Sequence, residues 1–286
     1  MKSERVAYVN GEIVPESQAK ISIHDRGFLQ GYSVFDTNRT FNHRIFKLTE
    51  HLERFFKSLK YARIEPGISK SELESITIDI LAANLPLIGE DDDYWVTQRV
   101  SSGIVTQEGA VPTVIVESIP LPFAARAKYY RYGIPVVVPS VRRTPPEALS
   151  PRAKIQNYAN LVQAEFEAKE RNPDGWPILL DMNGNLCEGP GSNFFVIKDG
   201  VLITPHEQYV IARISRSTTL ELAAELGIEA REDNINLYDA YTADEAFVTS
   251  TSFCICPVAT VNGVVIGEGA VPGSITRRLL DAYSGL

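Results

Sequence analysis

Lys154 stands in the run Pro151-Arg-Ala-Lys-Ile-Gln-Asn-Tyr158, and Glu188 opens the run Glu188-Gly-Pro-Gly-Ser-Asn-Phe-Phe195. A lysine amine can form a Schiff base with an aldehyde cofactor, and a buried carboxylate can hold that cofactor's ring nitrogen protonated. Taken singly, each residue has a plainer reading: Lys154 as a solvated charge, Glu188 as part of a glycine turn. Context argues for more. Ile155, Tyr158 and Leu161 follow Lys154 at amphipathic spacing, which predicts a loop-to-helix junction with the lysine facing inward, where desolvation favours a neutral, nucleophilic amine. Gly189 and Gly191 beside Glu188 let the backbone approach a ligand closely. A carboxylate facing a pyridine nitrogen keeps that ring cationic, so that it can act as an electron sink.

A phosphorylated cofactor also needs a cradle. Ile211-Ala-Arg-Ile-Ser-Arg216 opens a predicted helix with Ser215 as its cap, and orphan N–H groups at a helix start bind phosphate. Thr249-Ser-Thr-Ser252 supplies a cluster of hydroxyls after an apolar strand. Arg54 would offer a guanidinium fork, its plainer alternative being a surface pair with Glu50 one helical turn earlier.

The elements that must position these groups follow from patterning. Asn10-Gly11 between Val6–Val9 and 12–14, and Asn42-His43 between 33–41 and 44–48, predict hairpins. Thr49 is the expected cap of a helix through Tyr61, and residues 69–83 form another. Strands are expected at 94–101, 113–119, 134–139 and 178–181. Helices are expected at about 157–169, 215–226 and 274–283, and tight turns at Asn183-Gly184, Asp199-Gly200 and Asn262-Gly263. The composition change after Pro120 reads as a linker. The domains are therefore a small one at 1–120, an interdomain loop at 121–133 and a larger one at 134–286.

Composition removes several classes. The chain has 286 residues, 44% hydrophobic and 22% charged, and a net charge of −8. With no clustered basic surface, nucleic-acid binding is disfavoured. No apolar run suggests a membrane helix, and the N-terminal run lacks a secretory core. Three cysteines and four histidines without ligand spacing make a zinc site unexpected, and Cys254-Ile-Cys256 reads as buried strand. A reducing, cytoplasmic location is expected.

These motifs, in this order, resemble the class IV aminotransferases, the fold-type IV enzymes dependent on pyridoxal 5′-phosphate. The family includes branched-chain aminotransferases, D-amino-acid aminotransferases, (R)-selective amine transaminases and aminodeoxychorismate lyase. The resemblance runs from about Ser22 to Tyr283. It rests on His51-Leu-Glu-Arg54, 154–158, Glu188-Gly-x-Gly-Ser-Asn193, Thr204-Pro205, Ile214-Ser-Arg216, Ala243-Asp-Glu245 and Thr249-Ser-Thr251. It implies an α+β, two-domain enzyme with a barrel-like second domain, its active site between the domains and completed by a second subunit, hence a homodimer. It implies that Lys154 forms the Schiff base and shuttles the proton, and that Glu188 pairs with the pyridine nitrogen. By the same resemblance Arg54, the N–H groups of Ile214 and Ser215, and Thr251 hold the phosphate. Tyr158 lies near the phenolic oxygen, Ile211 packs on a ring face, and Asn193 belongs to the cofactor set. Arg213 stands where the family commonly has glycine, and Ser215 where it has threonine. The cradle survives if φ at Arg213 is negative.

Small-molecule amines or amino acids and 2-keto acids are the expected partners. Branched-chain enzymes commonly carry Tyr-x-Arg where this chain has Trp95-Val-Thr97, and bacillary D-amino-acid patterns are replaced by Ser101-Ser-Gly103. Strand alternation places Trp95, Thr97 and Arg99 on one face, so Arg99, Arg39 or Arg26 are candidates for the substrate carboxylate. The ordinary alternative for Arg99 is a structural ion pair. Phe35, Trp95, Gln30 and Ser252 complete the expected pocket. This apolar site without the usual clamp ranks an (R)-amine donor first, a D-amino acid second and a branched-chain L-amino acid third. A lyase and a non-catalytic cofactor-binding protein stand as alternatives.

Overall fold

The computed structural model describes residues 4–286; residues 1–3, the head of the N-terminal run read above, lie outside the described residues. The chain divides into two compact units, one holding residues up to 122 together with 153–157, the other holding 123–152 and 158–286.

In the first unit the strands are β1 (Val6–Val9), β2 (Glu12–Pro15), β3 (Ser33–Phe41), β4 (Arg44–Ile45), β5 (Tyr94–Thr106) and β6 (Gly109–Pro120). They form one antiparallel sheet in the order β2-β1-β6-β5-β3-β4. Positive φ at Asn10 (48°) and Gly11 (99°) gives the expected tight hairpin turn, and Asn42 and His43 make the second. The helices are α1 (Arg26–Gln30), α2 (Leu48–Ala62) and α3 (Lys70–Asn84). Leu52, Phe55 and Leu59 of α2 and Leu73 and Ile80 of α3 are buried, as are Val34, Val96, Val100 and Val116 of the sheet. Thr49 is not the cap of α2. The chain enters that helix two residues earlier, from Lys47 in the left-handed region, without a side-chain cap. Ser69 does cap α3, in a reciprocal box with Glu72.

The segment 153–157 belongs to this first unit by its backbone bonds. Phe35 N donates to Lys154 O at 3.1 Å, Gln156 N to Ser33 O at 2.9 Å, and Ile155 bridges Val34. Lys154 is therefore held in irregular chain bridged to the margin of β3. The expected helix starts later, at Ala159.

The second unit opens with a correction. The expected loop 121–133 is mostly helix, α4 (Phe123–Tyr132). Its Ala, Arg and Lys residues are good helix formers, and the Tyr130 hydroxyl donates to Phe253 O while Arg126 lies over the Phe253 ring at 4.3 Å. Next come β7 (Ile134–Val137), α5 (Ala159–Arg171), β8 (Trp176–Pro177), β9 (Asn193–Lys198), β10 (Val201–Thr204) and α6 (Ile214–Glu225). The chain continues through β11 (Ala230–Glu232), α7 (Leu237–Tyr241), β12 (Glu245–Ser250), β13 (Cys254–Val261), β14 (Val264–Val265) and α8 (Ser274–Ser284). The mixed sheet runs β11-β10-β9-β12-β13-β7-β8, with β14 on β13. A strand was expected at 178–181; only single bridges at Leu180 are found there, because the regular pairing with β7 stops at Pro177. Phe194, Val196, Val248, Phe253, Cys256 and Ile134 form the core of this unit.

Because the Ser69 hydroxyl accepts from Glu72 N at 3.2 Å while the Glu72 carboxylate accepts from Ser69 N at 2.8 Å, the two caps are coupled. Ser69→Ala is expected to cost about 1 kcal/mol. The double variant with Glu72→Ala should lose less than the sum of the two singles in urea unfolding. Strict additivity would contradict a reciprocal box.

Candidate active site

In the first unit the chemistry gathers around a fully buried acid. Asp36 is 0% exposed. Its Oδ2 accepts from Arg54 Nε at 2.8 Å, its Oδ1 accepts from Arg54 Nη2 at 2.6 Å, and His51 Nδ1 lies 2.7 Å from that same Oδ1. Burial alone would raise the Asp36 carboxyl, but the Arg54 guanidinium and then His51 override it and hold it well below the usual carboxylate range. Burial pushes the His51 imidazole below its ordinary value; Asp36 opposes this, and Arg54 and Lys154 reinforce it. Arg54 is thus held by Asp36, not by the Glu50 pairing one turn away. Sequence reasoning missed Asp36. The available signal was an acid on the helix-facing side of β3, in register with Val34 and Asn38, which demands cations opposite.

Lys154 is 5% exposed, its backbone N donates to Ser58 Oγ at 3.1 Å, and its Nζ lies 4.0 Å from the Phe35 ring centroid. Phe35 and its neighbours occupy the other face of the sheet. Cross-strand pairing sets Phe35 beside Arg99, Thr37 beside Thr97, and Arg39 beside Trp95. The Thr37 and Thr97 hydroxyls are 3.2 Å apart. Arg99 makes the ion pair that was its ordinary alternative, with Glu117 at 2.6 Å, while its guanidinium sits 5.7 Å from the Phe35 ring. Arg39 is buried, donates to Thr40 O, faces Asp93 at 3.7 Å and covers the Phe41 ring. Gln30 is exposed, and its side chain accepts from Arg26 Nε. Of the arginines proposed for a carboxylate, Arg99 is the one on the face of Phe35 and Lys154 whose guanidinium is partly open to solvent (32%).

In the second unit Glu188 is 1% exposed. Its Oε1 accepts from Arg143 Nε at 3.0 Å, and its Oε2 accepts from Ile211 N at 3.1 Å, with Arg213 Nη2 at 3.4 Å. The local chain dictates this placement. A Cβ on Gly189 would sit 2.4 Å from Pro177 O, so only glycine lets the chain turn against β8. Arg143, absent from the sequence-based set, is fixed by its N–H on Leu180 O at 2.9 Å. Nothing in its local pattern marks it. Tyr158 donates its hydroxyl to Pro190 O at 3.3 Å, and burial pushes its phenol up. Asn193 Nδ2 donates to Ile211 O at 3.0 Å.

The helix α6 starts one residue earlier than expected. Ser215 is inside its first turn, and Arg213 is the cap residue, at φ −72° with no side-chain cap bond. The negative φ meets the condition set for an intact cradle, leaving the N–H groups of Ile214 and Ser215 among those that begin the helix. Ser250 and Ser252 hydroxyls are 3.2 Å apart in the turn that carries Thr251, and Ser250 Oγ accepts from Phe253 N.

A phosphorylated aromatic aldehyde fits these residues on an observation independent of any resemblance. Asn193 Oδ1, Thr249 Oγ1 and Arg213 Nε are buried without a hydrogen-bond partner, and Asn193 and Thr249 are directly opposed on β9 and β12. Buried polar atoms of this kind require a polar occupant. Among the described residues no cluster could hold a metal ion, and no helix is long and apolar enough to cross a membrane.

The model of the family named Amino-transferase class IV matches residues 33–261. A Methanocaldococcus jannaschii protein is 36% identical over 98% of this chain and 95% of its own length. The structure of the Escherichia coli branched-chain amino acid aminotransferase is 31% identical, with a TM-score of 0.90 over 99% of this chain and 95% of that one. A second branched-chain amino acid aminotransferase, solved with pyridoxamine 5′-phosphate, is 26% identical, with a TM-score of 0.89 over 99% and 94%. The chain belongs to the class IV aminotransferases, and it has their fold-type IV, two-domain α/β architecture. It is a pyridoxal-phosphate-dependent transaminase. The relatives carry the donor class that the sequence-based order ranked third. That order rested on the missing arginine at Thr97, whereas Arg99 stands on the same face one strand period along.

The depressed carboxyl of Asp36 gives a stability signature. A folded-state value below the unfolded one adds stability that is present above the unfolded value, near pH 4, and lost as pH falls through the folded one. Asp36→Asn should destabilise by about 3–5 kcal/mol at pH 7, because it strands buried cations. The gap between variant and wild type should narrow on acidification below about pH 4. Urea unfolding at several pH values measures it, and a pH-independent gap would contradict the assignment.

Proposed function

We propose that this chain is an aminotransferase of branched-chain L-amino acids and their 2-keto acids, with pyridoxal 5′-phosphate as cofactor. The observation that carries the reading is the near-complete coverage, at a TM-score of 0.90, of the Escherichia coli branched-chain enzyme. The apolar and aromatic side chains Phe35 and Trp95 on the Lys154 side of the sheet support an apolar substrate.

When bound, the cofactor supplies an aldehyde for the amine and a cationic ring that accepts an electron pair. Lys154 is the covalent anchor and the proton carrier at its Nζ, placed by the bonds of 153–157 to β3 and confined against Phe35. Glu188 holds the ring nitrogen's proton, its carboxylate fixed by Arg143 and the Ile211 N–H. Arg54, oriented by the bidentate grip of Asp36, binds phosphate with the N–H groups of Ile214 and Ser215 and with Thr251. Tyr158 neighbours the phenolic oxygen, and Ile211 and Asn193 border the ring. Arg99 receives the substrate carboxylate, with Thr97, Gln30 and Ser252 as further polar contacts, while Arg39 is committed to Asp93 and Phe41 and supports the strand.

We assign a homodimer. Ile21, Ile23, Phe28 and Leu29, 47–71% exposed around α1, form an apolar surface that a second copy would cover. The buried thiols Cys187, Cys254 and Cys256 support a reducing, cytoplasmic setting.

Protein reconstituted with pyridoxal phosphate should show a visible band that Lys154→Ala abolishes. With 2-oxoglutarate as acceptor, L-leucine should be turned over at least about tenfold faster than D-alanine or (R)-1-phenylethylamine, a ratio worth roughly 1.4 kcal/mol of barrier. Dominant turnover of either of the latter would restore the sequence-based ranking, and pyruvate release from aminodeoxychorismate without amine exchange would make the protein a lyase. Light scattering should give twice the chain mass, and Phe28→Asp with Leu29→Asp should shift it towards one.

A further inference from the structure

The Glu188 cluster carries more positive charge than its carboxylate needs. Arg143 Nε and the Ile211 N–H already occupy both oxygens at 3.0 and 3.1 Å. Arg213 adds a second guanidinium, its side chain only 8% accessible. Its bonds to Glu188 Oε2, Gly189 O and Pro190 O are long, Nη2 lying 3.4 Å from each, and the Tyr158 hydroxyl is a further hydrogen-bond partner. Its Nε is buried with no partner. A buried cation is costly unless its donors are satisfied, so a guanidinium held this loosely is suited to a negative charge brought by a ligand. The other charged and titratable groups facing it are Arg143, Glu188 and Tyr158, and Tyr158 stays neutral because burial pushes its phenol up. With two guanidiniums against one carboxylate, the cluster is left one positive charge in excess.

The direction of Arg213 matters. Its backbone caps α6, but its side chain leaves the helix start and reaches the carboxylate and the Pro190 carbonyl, which also accepts from the Tyr158 hydroxyl. Those two side chains are the ones assigned above to the ring nitrogen and the phenolic oxygen. We propose that Arg213 is a positioning residue for the cofactor ring, its surplus charge favouring the ionised form of the ring's phenolic oxygen and so the release of the proton shared between that oxygen and the Lys154 nitrogen. The inference rests on the proposed pyridoxal-phosphate reading.

The test is a pH titration of the visible spectrum of reconstituted holoenzyme, which reads that proton directly. Removing a nearby cation makes the proton harder to lose, so Arg213→Gln and Arg213→Met should move the midpoint upward by about one pH unit. Arg213→Lys, which keeps the charge and changes the shape, should stay within about 0.3 unit of wild type. An unchanged midpoint in both neutral variants overturns the inference, as does a lysine variant that shifts as far as they do. A wild-type protein that gives no visible band overturns the cofactor reading itself, and this inference with it.

Discussion

A carboxylate removed from water must be matched by cations and hydrogen bonds at short range, and this protein buries several, among them Asp36 in one of its units and Glu188 in the other. Asp36 is enclosed between β3 and α2, with Arg54 gripping it through two nitrogens and His51 on the same oxygen. Glu188 is enclosed after a glycine turn, between Arg143 and the Ile211 N–H, with Arg213 behind. Desolvating one of these acids without its partners would cost several kcal/mol. The elements that bring the partners are thereby tied to the chemistry, because α2 is held to β3 by the same atoms that aim Arg54. In the proposed site, rigidity at these two points would let Arg54 and Glu188 hold the cofactor in one orientation.

The same constraint bears on the proposed receiver of the substrate carboxylate. Three arginines were candidates for the substrate carboxylate, and their surroundings divide them. Arg39 is buried between Asp93 and Phe41, and Arg26 is engaged with Gln30 and Tyr32. Arg99 shares its strand face with Phe35, against whose ring the Lys154 amine also lies. Its partner Glu117 is 23% exposed, and in the proposed site a substrate carboxylate would share the Arg99 guanidinium with it. A partly exposed ion pair of this kind contributes modestly to stability. It suits a site that must admit and release a charged ligand repeatedly.

Much of the local structure was legible in short stretches of sequence. Asn10-Gly11 and Asn42-His43 adopt the positive φ that their hairpins require, Ser69 and Glu72 close their box, and α6 begins within a residue of its expected start. Two local readings failed for lack of a local cause. The segment after Pro120 has no apolar periodicity, yet it is helical because Tyr130 and Arg126 dock on Phe253, far along the chain. Lys154 is expected at a helix start, but 153–157 is non-helical because it bonds to the backbone of β3.

The sequence by itself determined the class of chemistry. The lysine, the glutamate beside its glycines, the run from His51 to Arg54 and the helix opening at Ile214 are type-and-spacing signals that survive without coordinates. What only the tertiary structure decided is which charge meets which. Asp36 on Arg54, Arg143 and Arg213 on Glu188, and Glu117 on Arg99 join residues 18 to 45 positions apart. Such pairs leave no periodic or capping signature. They are selected by the burial that folding imposes, and the cost of leaving a desolvated charge unmatched is the physical reason they form.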